Sequence, residues 1–169
     1  MRKAYLLILS FLFFACIEER DCNEKPNISG IDQQQLANDV QEIESYLESN
    51  NISYQTDASG VRLSTLEDGT GDVPDNCSIV VADYEGRVLG SSSKFDTGIG
   101  TQFTLSSNNL IAGWKFGLYN MRNNGEYRLY IPSGLAYGDD TVKNAADSVI
   151  IPPNSNLEFR IRLVGVGSN

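Results

Sequence analysis

The stretch Leu157-Glu158-Phe159-Arg160-Ile161-Arg162-Leu163 leaves the chain the least freedom. Its odd-numbered residues are all apolar and its even-numbered residues all charged. Successive side chains of a strand point to opposite faces, so this alternation makes one face wholly apolar and the other wholly charged. A helix would scatter the same charges around its circumference and bury nothing cleanly. Two further stretches have the same period less cleanly, as strands half buried or better: Ile79, Val81 and Asp83 alternate with Val80, Ala82 and Tyr84, and Tyr127, Leu129 and Ile131 with Glu126, Arg128 and Tyr130. Gly134, Gly138 and Pro152-Pro153 fall between Ile131 and Leu157 and require loops there. From about Val61 onward the chain therefore reads as antiparallel strands, with 109–120 as the one short helical possibility. The expected class is α+β, a twisted antiparallel sheet wrapped around one short helix.

Ahead of the strands the period changes. Leu36, Val40, Ile43 and Leu47 recur at spacings of four, three and four and share one face of an amphipathic helix over 32–49. Asp32 with Gln35 has the form of a capping box, and Ile31 with Leu36 that of a hydrophobic staple. An apolar stripe needs a cover, and two are open: the domain that follows, or a second copy of the chain in a homodimer through this helix.

The first residues, MRKAYLLILSFLFFA, join a positive n-region at Arg2 and Lys3 to an apolar stretch ending at Ala15, the pattern of an export signal. The apolar run is shorter than the roughly 20 residues a membrane span requires. Phe13-Phe14-Ala15-Cys16 resembles a bacterial lipobox, which makes Cys16 the acylated first residue of the mature chain; cleavage as an ordinary secretory signal is the other reading. Glu18-Glu19 resembles the acidic signal that sends some lipoproteins of the Bacteroidetes to the cell surface. The chain thus divides into a signal peptide (1–15), an acidic and polar tether (16–30), a helix with its connection (31–60) and the strand-rich domain (61–169). The expected location is the outer membrane or cell surface, on its periplasmic or extracellular face, with membrane contact through the lipid. Export also bears on the thiols. With Cys16 acylated, Cys22 and Cys77 remain, and an oxidising compartment permits a disulfide between them or leaves two separate thiols.

Charge and composition exclude several classes. Thirteen Lys and Arg stand against 22 Asp and Glu, for a net charge of −9, and no basic run interleaves with aromatics, so no nucleic acid partner is expected. There is no histidine, which removes Ser-His-Asp and Cys-His nucleophiles and histidine-based zinc sites. The glycine pairs Gly69/Gly71 and Gly98/Gly100 lack the neighbours of a phosphate loop. The spacing of Asp139, Asp140 and Asp147 does not match a calcium loop. No metal and no cofactor are expected.

Against this background six blocks stand in order: Val81-Ala82-Asp83-Tyr84-Glu85-Gly86, Lys94-Phe95-Asp96, Phe103-Thr104-Leu105, Leu110-Ile111-Ala112-Gly113-Trp114, Leu135-Ala136-Tyr137-Gly138 and Ile150-Ile151-Pro152-Pro153, closed by Leu157-Glu158-Phe159. In sequence and spacing they resemble the FKBP family of peptidyl-prolyl cis/trans isomerases. That resemblance implies a pocket floored by the Trp114 indole and walled by Tyr84, Phe95, Ile111, Ile151 and Phe159, with Leu110 among the substrate-binding residues. It places Asp96 at the rim and assigns substrate carbonyls to the Ile111 backbone N–H and the Tyr137 hydroxyl. It implies isomerisation of proline-containing polypeptides without a covalent intermediate, as a folding helper for exported proteins. A catalytically weak or inactive binding module of a cell-envelope complex on the same fold is the alternative. The chain departs from the family in five respects. The segment from Asp96 to Phe103 is short, Thr101 stands where a further pocket aromatic is common, the arginine that commonly neighbours the rim aspartate is missing, Leu135 replaces a frequent aromatic, and the loop from Asp139 to Val149 is long. A more open pocket is expected from the first three.

Overall fold

A computed structural model describes residues 21–168. The signal peptide, Cys16 and Glu18-Glu19 lie outside the described residues. Helix α1 (Gln33–Ser49) comes first, followed by strands β1 (Gln55–Thr56), β2 (Arg62–Glu67), β3 (Ser78–Val88) and β4 (Lys94–Thr104). Helix α2 (Ala112–Leu118), β5 (Glu126–Ile131), a single 3-10 turn (Ser133–Leu135), β6 (Val142–Lys143), β7 (Val149–Ile151) and β8 (Leu157–Ser168) complete the chain. Six strands form one antiparallel sheet in the order β1-β2-β5-β8-β3-β4, and β6 with β7 makes a separate hairpin. The architecture is the expected α+β sheet with one short helix packed against it at β5.

The alternation of β8 is realised at its four apolar positions, since Leu157, Phe159, Ile161 and Leu163 are buried; of the charged residues between them Arg160 and Arg162 are exposed, while Glu158 is buried. On the outer face Glu126 of β5 binds both arginines of β8, Arg160 Nε and, at 2.7 Å, Arg162 Nη2. Strand β5 breaks the pattern of one wet face, since Tyr130 on its outer side is fully buried. The reason is α1, whose Ile43 and Leu47 are also fully buried and form a small core with Tyr130. Higher up the stripe, Leu36 and Val40 approach the backbone at Gly60 so closely that a Cβ there would lie 3.0 and 3.1 Å from them. Of the two covers open to the helix, the chain's own domain buries Ile43 and Leu47 fully and Leu36 and Val40 in part. Burying Ile43 and Leu47 contributes roughly 1.5–3 kcal/mol each.

The helix start is capped as expected on one side only. Asp32 Oδ1 accepts the backbone N–H groups of Gln34 (2.8 Å) and Gln35 (3.1 Å), but the Gln35 side chain does not return to Asp32. It donates instead to Asp39 Oδ1 at 2.7 Å. Asp39 is buried and Asp32 exposed; a carboxylate removed from water needs a protein donor more than an exposed backbone N–H does.

The segment expected as a free tether is laid down along the domain from its first described residues. Cys22 and Cys77 form a disulfide, with Cα atoms 4.9 Å apart, and the Asn76 N–H donates to the Cys22 carbonyl at 3.0 Å. Ile28 and Ile31 then pack against the main core. Residues 22–31 are thus a strap, fastened by a covalent bond at one end and by α1 at the other. Among the described residues no helix is long and apolar enough to cross a membrane.

Candidate active site

Helix α2 is short because its job is to bring one indole against the sheet. Gly113 and Gly117, one turn apart, face β5: a Cβ at Gly113 would lie 2.2 Å from Ile131 Cγ2, and one at Gly117 2.4 Å from Leu129 Cδ1. The missing side chains let the helix axis settle onto the strand, and the next residue, Trp114, is thereby only 2% exposed. Ile111 serves as N-cap with φ −58° and ψ 145°. Its extended backbone turns the preceding Leu110 out of the helix and toward the opening.

The walls come from the two long strands beside it. Phe159 of β8 stands between Leu129 on β5 and Gly86 on β3. A Cβ at Gly86 would lie 2.5 Å from the Phe159 ring and 2.9 Å from the Phe95 ring, so the glycine is what allows both rings to close on β3. Tyr84 precedes Gly86 by two residues and points to the same side. Around Trp114 the rings meet edge to face: Tyr84 at 5.2 Å and 88°, Phe159 at 5.3 Å and 87°, with Phe103 tilted at 5.0 Å and 55°. Each such pair contributes roughly 0.5–1.5 kcal/mol beyond area burial and fixes the orientation of its neighbour. The result is an aromatic cup.

Leu110 and Ile111 complete the cup, and Asp96, Asn109 and Tyr137 form its rim. Its cavity is about 120 Å³. That is well below the several hundred Å³ of pockets that enclose whole drug-sized ligands; it suits one small ring of a longer chain lying across the opening. The Tyr84 hydroxyl donates to Asp96 Oδ2 at 3.0 Å. Burial, then the hydrogen bond and charge of Asp96, push the Tyr84 phenol up to about 12. Burial, with Asp96 nearby, also raises Tyr137. Both phenols therefore keep their protons and remain donors at neutral pH. Among the described residues no group of three or more His, Cys, Asp or Glu side chains could hold a metal ion.

The structure brings Tyr84, Asp96, Leu110, Ile111, Trp114, Tyr137 and Phe159 together at one opening. Phe95 stands behind, packed edge to face on Phe159 at 5.6 Å and 89°. Ile151 is 1% exposed and belongs to the core beneath. Two lining residues escaped the sequence reading as site residues, Phe103 and Asn109. Phe103 supplies the aromatic whose absence at Thr101 suggested a more open pocket: it lies two residues on, on the same side of β4, against both Tyr84 and Trp114. The alternation Thr101/Phe103 was the signal for it. Asn109 has no sequence signal, since its place depends on where α2 begins.

A family model described as FKBP-type peptidyl-prolyl cis-trans isomerase matches residues 71–164. The chain is 34% identical over 112 residues to the 46 kDa FK506-binding nuclear protein of Spodoptera frugiperda, covering 64% of this chain and 26% of that one. It is 32% identical over 114 residues to the FKBP-type peptidyl-prolyl cis-trans isomerase FkpA of Escherichia coli K12, covering 66% of this chain and 40% of that one. The match thus spans less than half the length of these relatives. A crystal structure of a peptidyl-prolyl cis-trans isomerase from Pseudomonas syringae pv. tomato is similar with a TM-score of 0.64 and 29% identity, over 79% of this chain and 96% of that one. Matched in sequence over more than half its length, and in fold over nearly all of a solved isomerase, the chain belongs to the FKBP-type peptidyl-prolyl cis-trans isomerase family.

Proposed function

We propose that the protein is a peptidyl-prolyl cis/trans isomerase that assists the folding of exported polypeptides, working from a lipid anchor at Cys16 on the outer membrane or cell surface. The observation that carries the catalytic part is the aromatic cup on Trp114, sized for one ring and edged by protonated phenols.

Rotation about an X-Pro bond must break amide resonance, against a barrier of about 18–20 kcal/mol. No bond to the protein forms, so the reaction asks for no nucleophile. As the amide twists, its oxygen loses negative charge and its nitrogen becomes pyramidal; an apolar, water-poor cup disfavours the planar amide relative to the twisted one. In this reading the proline ring rests on Trp114 between Tyr84, Phe103 and Phe159. The Ile111 N–H and the Tyr137 hydroxyl hold carbonyls on either side of the rotating bond, and the Tyr84–Asp96 hydrogen bond keeps the wall in place. A millionfold acceleration requires about 8 kcal/mol, within reach of desolvation, a fixed ring and two hydrogen bonds together.

The export reading is supported by the sequence of residues 1–19 and by the disulfide, which belongs to an oxidising compartment. Two measurements test the proposal. The chain from residue 17 onward should accelerate isomerisation of an X-Pro peptide, and Trp114→Leu and Phe159→Leu, chosen to keep the core filled, should each lower kcat/KM by about tenfold or more. A folded parent with no acceleration identifies a binding module instead. In cells, Cys16→Ala should release the protein from the membrane fraction; an unchanged distribution removes the anchor.

A further inference from the structure

Away from the cup, three polar side chains are buried together where α1 meets the end of β5: Asp39 is 2% exposed, Asn156 3% and Ser133 0%. Asp39 Oδ2 accepts both the backbone N–H of Ser133 (2.9 Å) and its hydroxyl (2.6 Å), while Oδ1 accepts from Gln35. Asn156 Oδ1 shares the Ser133 N–H at 3.1 Å, and Asn156 Nδ2 donates to Glu42 Oε2 at 2.9 Å. Two carboxylates of α1 thus grip the turn after β5 and the residue before β8.

Docking α1 does not need this. Ile43 and Leu47 already bury its stripe, and an apolar pair would fill the same space without the cost of taking a carboxylate out of water. What the arrangement adds is direction. It converges on Ser133, four residues before Tyr137. The Ser133 carbonyl in turn accepts the N–H groups of Ala136 (2.9 Å) and Gly138 (2.8 Å), the residues on either side of Tyr137. Gly138, at φ +58°, then passes the connection to Asn154 through its own carbonyl at 2.7 Å. A continuous line of hydrogen bonds runs from Asp39 to the backbone that carries the rim hydroxyl. Helix α1 lies outside the segment matched by the family model.

We propose that Asp39 is a positioning residue for the pocket: acting through Ser133, it holds Tyr137 at the rim, so that the N-terminal helix is part of the site's support. The effect on turnover rests on the isomerase reading; the effect on the Tyr137 segment does not.

The test uses the full chain in detergent and reads two quantities, kcat/KM on an X-Pro peptide and amide exchange by mass spectrometry of the peptides around Gly138. Asp39→Ala should lower kcat/KM about tenfold and raise exchange around Gly138 with little change in β3 and β4, and Asp39→Asn, which keeps an acceptor for Ser133, should restore both. In a Tyr137→Phe background, Asp39→Ala should cost nothing further in kcat/KM. Leu47→Ala, which loosens α1 without touching Ser133, should lower stability and leave kcat/KM of the folded protein unchanged. If Asp39→Ala does not fold, Ser133→Ala removes the hydroxyl bond alone, and should give about a threefold loss with the same localised exchange. Equal losses with and without the Tyr137 hydroxyl, or exchange rising uniformly through the domain, would overturn the proposal. A parent without turnover sinks the isomerase reading, and the exchange measurement then decides the positioning role alone.

Discussion

Removing the Cys22–Cys77 disulfide should cost the domain about 4 kcal/mol, nearly all of it through the unfolded state. The two cysteines are 55 residues apart in sequence. In the chain-entropy model a cross-link closing a loop of that length removes about 14 cal/mol/K from the unfolded ensemble, which is about 4 kcal/mol at 25 °C. The folded state loses little, because the strap keeps the Asn76–Cys22 backbone hydrogen bond and the packing of Ile28 and Ile31. The double variant Cys22→Ser/Cys77→Ser is the perturbation, read by urea unfolding beside the oxidised parent. With a slope of about 2 kcal/mol per molar urea, the midpoint should fall by about 2 M, and the slope should rise slightly as the unlinked chain expands further. The same change corresponds to a melting temperature lower by about 8–16 °C. Turnover by the folded variant at 25 °C should match the parent, since neither sulfur lines the cup. A loss below about 1 kcal/mol would refute the reasoning, as it would mean that the unfolded chain is already closed between these points or that the strap is strained when linked. A loss of turnover in a folded variant would refute the separation of strap from site.

Two further expectations follow from the geometry of the cup. The Tyr84 phenol, pushed from an ordinary 10.0 up to about 12 by burial and by Asp96, should titrate late in ultraviolet absorbance and move part of the way back in Asp96→Asn. Because its folded value is raised, its contribution to stability is present below about pH 10 and lost as pH rises toward about 12; a phenol set titrating entirely near 10 would contradict the burial. Gly113→Ala should destabilise the domain by about 1–3 kcal/mol, since the new methyl would meet Ile131 at 2.2 Å and overpacking outweighs the helix propensity gained. Urea unfolding reads the cost, and a neutral or stabilising result would show that α2 can slide on β5.

Much of this protein was determined by sequence alone, wherever a physical rule acts between near neighbours. The alternation of Leu157 to Leu163 places four side chains inside because a strand has two faces. The four-three-four spacing of Leu36 to Leu47 yields α1, and Asp32 caps it because an exposed carboxylate beside free N–H groups needs nothing distant. The blocks from Val81 to Phe159 point to Tyr84, Trp114 and Phe159 only through their resemblance to the family, since no local rule distinguishes these rings from ordinary core residues. Tertiary structure decided what depends on partners far along the chain. Tyr130 looks like the wet side of β5 until α1 covers it. Gln35 should complete a capping box, yet it turns to Asp39, whose burial comes from Ser133, 94 residues away. Phe103 becomes a wall because the paired strands β3 and β4 bring it to Tyr84 and Trp114, and Asn109 reaches the rim because glycines at 113 and 117 let α2 settle where it does. Local periodicity records which face of an element is apolar; only the assembled chain determines what is brought to cover that face, and which polar groups must then find one another out of water.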